Sequence, residues 1–153
     1  MKKIQIAQIG VGYWGPNLLR NLVSHKFINL KTVVDLSSKR REFVKSNYPD
    51  IETTNNVEKV ISDDDINAIV ISTPVETHFK LAMQSLNAGK HILVEKPMAK
   101  TSSEVRSIIK LADEKGLIAM VGHTFLYNNC VKAIKKLIDS NELGDIRYIY
   151  SQR

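Results

Sequence analysis

A single cysteine, Cys130, stands in a chain of 153 residues, which excludes a disulfide framework and any cysteine-built metal centre. A reducing, cytoplasmic setting is the resulting expectation, and no metal ligand set is assigned. No stretch approaches the ~18 consecutive apolar residues of a membrane span. Lys2 and Lys3 precede only a strand-length apolar run, so neither a membrane anchor nor a signal peptide is expected. Aromatic residues are scarce at 7%. The net charge of +6 is spread over helical segments rather than gathered with aromatics into a reading surface, so nucleic acid is not an expected partner. The length suits one well-buried domain and falls short of two full ones.

Glycine is also infrequent, with seven in the chain, yet three of them fall within six residues at the amino end. Ile4-Gln5-Ile6-Ala7-Gln8-Ile9 reads as a strand that runs directly into Gly10-Val11-Gly12-Tyr13-Trp14-Gly15 and then, with Pro16 at its first turn, into a helix. In that context each glycine has a mechanical task. Gly10 permits the tight turn, Gly12 lets a pyrophosphate approach the backbone, and Gly15 lets the helix pack close to the strand. The diphosphate then meets free amides and the positive end of a helix dipole. A second apolar run, residues 30–34, ends in Asp35, which lies 35 − 15 = 20 residues beyond the third glycine. An acidic side chain at that spacing can accept from an adenosine ribose, or it can cap the helix that begins near Ser37. Its charge opposes a 2′-phosphate, so NAD is expected over NADP. Lys39, Arg40 and Arg41 follow closely as cations for the adenosine end or as a solvated helix face.

Strand and helix signals then alternate. Residues 56–62 read as a short helix and Asp63-Asp64-Asp65 as a turn. Residues 68–71 form an apolar strand, residues 77–88 a helix stopped by Gly89, and residues 91–94 another strand. Thr101-Ser102-Ser103-Glu104 is a capping box for a helix ending at Gly116, followed by a strand over residues 117–121. The pattern predicts an α/β fold with a doubly wound parallel sheet of the Rossmann type.

Ligands of such sheets lie across the carboxyl ends of the strands. The residues just past each predicted strand are Gly10 to Gly15, Asp35, Ser72-Thr73-Pro74, Glu95-Lys96-Pro97 and Gly122-His123. A Glu-Lys pair at the end of a buried strand is poorly placed for stability unless paired or used. Its chemical reading is a Glu that accepts from a ribose hydroxyl and a Lys aimed at the reacting centre.

These motifs, taken with His78 and with Gly89-Lys90-His91 leading into Glu95-Lys96-Pro97, resemble the Gfo/Idh/MocA family, which includes glucose-fructose oxidoreductase and inositol 2-dehydrogenase. The resemblance runs from Lys3 to the chain end. It implies a pyridine-nucleotide oxidoreductase acting on a sugar, polyol or nucleotide-linked sugar alcohol. By position it implies that Gly10, Gly12, Tyr13, Trp14 and Gly15 form the pyrophosphate loop, with Asp35 and Arg40 at the adenosine end. Ser72, Thr73, Pro74 and His78 would line the middle of the cofactor, and Glu95 would stand near the nicotinamide ribose. Lys96 would be the catalytic lysine that also touches the cofactor, and His123 would lie near the nicotinamide. The resemblance further implies a cis Lys96-Pro97 bond.

Family members continue into a second α+β domain. The expected division is a dinucleotide-binding domain over residues 1–123 and the start of a substrate domain over residues 124–153, with a helix at residues 129–140, a turn at Gly144 and a strand over residues 146–152. That strand is expected to pair with a second copy or to fold back as an edge strand, and a homo-oligomer is expected. A cofactor-binding module without turnover of its own is the alternative to an oxidoreductase.

Overall fold

The computed structural model describes residues 3–152. It divides into two units, Met1–Gly122 and His123–Arg153. In the first unit, strands β1 (Ile4–Ile9), β2 (Ile28–Val34), β3 (Glu52–Thr54), β4 (Ala68–Ile71), β5 (His91–Val94) and β6 (Ala119–Val121) form one sheet in the order β3-β2-β1-β4-β5-β6. Every adjacent pair is parallel.

Consecutive residues of these strands bury on opposite faces, which is why they read as unbroken apolar runs. Along β4, Ile69 and Ile71 join a core with Leu81, Leu86, Ile108 and Ala112 of helices α4 (Val75–Asn87) and α5 (Ser102–Lys115). Val70 turns to the other face and packs with Leu19, Leu22 and Val44 of α1 (Gly15–Ser24) and α2 (Ser38–Asn47). Full burial of a side chain such as Leu19 contributes roughly 1.5–3 kcal/mol. The doubly wound architecture is therefore realised by two cores, one on each side of the sheet.

Local signals act as read from the sequence. Thr101 and Glu104 complete the capping box of α5, and Gly116 closes that helix at φ 65°. Helix α4 begins two residues before the expected Thr77, because Pro74, with φ −60°, already presents the geometry of a helix start. The short helix α3 is confined to Glu58–Ile61, with Asn56 accepting from the Glu58 amide. Strand β3 has no counterpart in the expectations, since three residues with a single partner strand leave too short a pattern to read.

In the second unit, a 3-10 turn at Thr124–Tyr127 precedes α6 (Asn129–Asp139), and Asn128 caps that helix through the amides of Cys130 and Val131. Gly144 adopts φ 62° at the expected turn. The expected strand over residues 146–152 does not form: these residues carry no regular structure. A strand is held by its neighbour's backbone, and alternation alone cannot supply one.

Asp63, in the acidic turn before β4, accepts from Lys31 Nζ at 2.7 Å. This hydrogen bond holds its carboxyl below the usual carboxylate range, and Lys59 does the same for Glu52. A folded-state pKa below the unfolded one gives stability that is complete above the unfolded value and is lost as pH falls through the folded value. The midpoint of thermal unfolding should therefore drop on acidification through this range. Asp63→Asn should flatten part of that drop, and an unchanged acid profile in this variant would remove Asp63 from the account.

Candidate nucleotide-binding site

The glycine turn is held from several sides. Gly10 has φ 93°, its amide donates to Val34 O at 2.8 Å, and a Cβ there would lie 2.7 Å from Ser72 O. Gly15 is tight for another reason: its Cβ would sit 2.9 Å from Gly10 O, so only glycine lets α1 start this close to the strand end. At Gly12 a Cβ would meet nothing within 4 Å. The space in front of Gly12 is what a bulky anion approaching the backbone requires.

Beneath the turn lies Gln8, fully buried, a residue to which the sequence reading gave no part. Its Nε2 donates to Gly10 O and Gly15 O, each at 3.0 Å, and lies 3.3 Å from Ser72 Oγ. Ser72 Oγ itself donates to Gly10 O at 2.7 Å. Gln8 thus knits the end of β1, the start of α1 and the end of β4 together. A polar side chain interrupting an apolar strand two residues before Gly10 is the signal the sequence offers.

Asp35 stands at the end of β2, as expected, but its carboxylate has two tasks within the protein. Oδ2 accepts from the Val11 amide at 2.7 Å, inside the glycine turn, and Oδ1 accepts from the Ser37 amide at 2.9 Å. Of the cations that follow, Arg41 is committed to the Asp35 and Leu36 carbonyls, while Arg40 lines the adjoining cleft. That cleft, about 560 Å³, is walled by Gly10, Gly12, Asp35 and Arg40 on one side and by Ser72, Thr73 and Pro74 on the other. Helix α4 adds Thr77, Lys80, Leu81 and Gln84, residues three and four apart on one face, which the sequence reading assigned only to a helix. Trp14 is the N-cap residue of α1, and Tyr13 is almost fully exposed; neither lines the cleft.

The turn after β5 carries Glu95, Lys96 and Pro97, and the Lys96-Pro97 bond is cis. Glu95 and Lys96 are not the surface ion pair that such neighbours often make. The Lys96 amide, rather than its ammonium, donates to Glu95 Oε2 at 3.1 Å. The Glu95 carboxylate rests against Gly122 just past β6, where a Cβ would come within 2.9 Å of Oε1. Lys96 is exposed, and among the described residues no carboxylate pairs with its ammonium. His78 is not a helix-surface residue: it is 2% exposed, and both ring nitrogens lie on backbone carbonyls. His123 is exposed and opens the second unit.

Residues 4–123 match the Gfo/Idh/MocA oxidoreductase family, described as an NAD-binding Rossmann fold. Scyllo-inositol 2-dehydrogenase (NADP(+)) IolW of Bacillus subtilis (strain 168) is 36% identical over 111 residues, covering 72% of this chain and 31% of that protein. Among solved structures, myo-inositol 2-dehydrogenase from Lactobacillus plantarum superposes with a TM-score of 0.87 at 27% identity, covering 95% of this chain and 43% of that one. GenD2 from gentamicin A biosynthesis, in complex with NAD, gives a TM-score of 0.87 at 25% identity over 93% of this chain and 40% of its own. The chain thus spans less than half the length of these relatives. It belongs to the Gfo/Idh/MocA oxidoreductase family, of which residues 4–123 are the NAD-binding Rossmann part.

Proposed function

We propose that this chain is the cofactor-binding part of an oxidoreductase that uses NAD in preference to NADP and acts on an alcohol carbon of a sugar, polyol or nucleotide-linked sugar. The observation that carries this reading is the pairing of open space at Gly12 with a carboxylate lining the same cleft. A dinucleotide fits that arrangement. Gly10, Gly12 and the first amides of α1 would receive its pyrophosphate, and Asp35, with Arg40 beside it, its adenosine ribose. Glu95 and Lys96, past the end of β5, would stand toward the nicotinamide end, with Ser72, Thr73 and Pro74 between. His123 and the domain division at residue 123 belong to the same reading.

A bound nicotinamide supplies the two-electron acceptor that no side chain here provides. Lys96 has the complementary task of holding the substrate hydroxyl and exchanging a proton at Nζ. Its unpaired ammonium supports that role. The names of relatives point both ways on the cofactor, since one is an NADP(+) enzyme and another was solved with NAD. The carboxylate of Asp35 supports the reading for NAD, because a 2′-phosphate brought beside it would face a fixed like charge. Exposed Tyr148, Ile149 and Tyr150 are the surface through which self-association of copies would run.

Calorimetry with the two cofactors tests the reading. NAD should bind at least tenfold more tightly than NADP, a difference of about 1.4 kcal/mol or more. Asp35→Ala should weaken both, because the Val11 amide loses its acceptor, and should bring the two affinities close together. Equal affinities in the unmodified chain would refute the preference. The alternative, a binding module without turnover, is separated by following NADH formation from a panel of sugars and polyols, using this chain and its full-length counterpart.

A further inference from the structure

His78 lies close to the candidate site without opening into it. From α4, its Nε2 reaches Thr73 O at 2.7 Å and its Nδ1 reaches Pro97 O at 2.9 Å. The two oxygens belong to different connections. Thr73 follows β4 and forms part of the cleft wall, while Pro97 ends the turn that carries Glu95 and Lys96. One buried ring therefore spans the gap between the wall of the cleft and the turn bearing the lysine.

The chemistry of the two contacts is informative. Carbonyl oxygens only accept, so the imidazole is the donor in any hydrogen bond made here, and its two nitrogens stand one on each connection. We propose that His78 is a positioning residue, whose imidazole clamps the Glu95-Lys96-Pro97 turn to the Thr73 wall and so fixes where Glu95 and Lys96 stand relative to a bound dinucleotide. This rests on the reading of the cleft as a dinucleotide site.

The rest of the wall is built to receive such a clamp. The Thr73 hydroxyl is bonded to that of Thr77 at 2.6 Å, which ties the loop to the first turn of α4. The Thr73 methyl packs against the glycine turn, 2.9 Å from where a Gly10 Cβ would be. Thr73 is therefore fixed on the glycine-turn side independently of His78. What the imidazole adds is the second anchor, on Pro97, and the residues that depend on it are those of the Lys96 turn.

The prediction separates the two ends of the cofactor. ADP ends at the diphosphate and lacks the nicotinamide nucleoside, whereas NAD carries it. In His78→Phe, which removes both ring nitrogens from a ring-sized space, ADP affinity measured by calorimetry on this chain should stay within about twofold, whereas NAD affinity should fall roughly five- to tenfold. Equal losses of ADP and NAD would overturn the clamp in favour of general damage to the cleft, and so would unchanged binding of both. Failure of the unmodified chain to bind either would instead overturn the dinucleotide reading.

Discussion

Gly10→Ala should destabilise this protein by about 3 kcal/mol, whereas Gly12→Ala should leave stability within about 0.5 kcal/mol of the unmodified chain. The two glycines are two residues apart in one motif, but they answer to different constraints. At Gly10 the backbone sits at φ 93°, and a Cβ would lie 2.7 Å from Ser72 O and 2.8 Å from Ser72 C. These are backbone atoms at the end of a central strand and cannot swing aside. Gly10 cannot move either, because its amide is bonded to Val34 O and its carbonyl receives both Ser72 Oγ and Gln8 Nε2. Conformational strain and overpacking therefore add. Gly12, with open space where its Cβ would go, lets the alanine variant fold normally. On the proposed reading that methyl would stand in the path of the pyrophosphate, so NAD affinity should fall at least tenfold. Chemical denaturation and calorimetry on the pair give the comparison. Similar stability losses at both positions would show that the turn is not organised as described.

The motif legible in the sequence thus combines folding and binding requirements that its spacing alone does not separate. Periodicity sufficed for the sheet and its helices, because runs such as residues 68–71 alternate between two buried faces and have few other ways to hide that much apolar surface. It failed where structure depends on a partner rather than on the segment itself. Glu52–Thr54 becomes a strand because Thr32, Val33 and Val34 lie beside it, while residues 146–152 share the alternation of a strand and form none. The site shows the same division. Asp35, Arg40 and Thr73 are found at the cleft from spacing and strand ends, whereas Lys80 and Gln84 enter it by the pitch of α4. Gln8 escaped because its importance lies in three oxygens contributed by residues 10, 15 and 72. By its spacing alone, Asp35 after β2 suits either a ribose ligand or a helix cap. Its contacts with the Val11 and Ser37 amides show that it already serves the fold before any nucleotide is considered.

Lys96→Met should abolish turnover in the full-length protein, with kcat down by at least a thousandfold, while the affinity for NAD changes by no more than about threefold. The expectation follows from where Lys96 is and what surrounds it. The side chain is exposed at the carboxyl end of a central strand, and its ammonium is paired with no carboxylate among the described residues, so its removal strands no buried charge. The turn itself is held by other groups. The Lys96 amide donates to Glu95, the Glu95 amide to Ile71 O at 2.9 Å, and Pro97 O receives His78, none of which requires the ammonium. Methionine keeps much of the length and apolar bulk of the stem, so packing should persist and the nucleotide should still find its cleft. On the proposed reading, what disappears is the group that holds an alcohol oxygen and exchanges its proton, an interaction that strengthens as charge develops on that oxygen and so acts mainly in the transition state. Lys96→Arg should restore little, because a guanidinium that stays protonated can orient the oxygen without exchanging the proton. A methionine variant with undiminished kcat would take Lys96 out of the chemistry. A variant whose NAD affinity collapsed along with its turnover would make it a cofactor ligand instead.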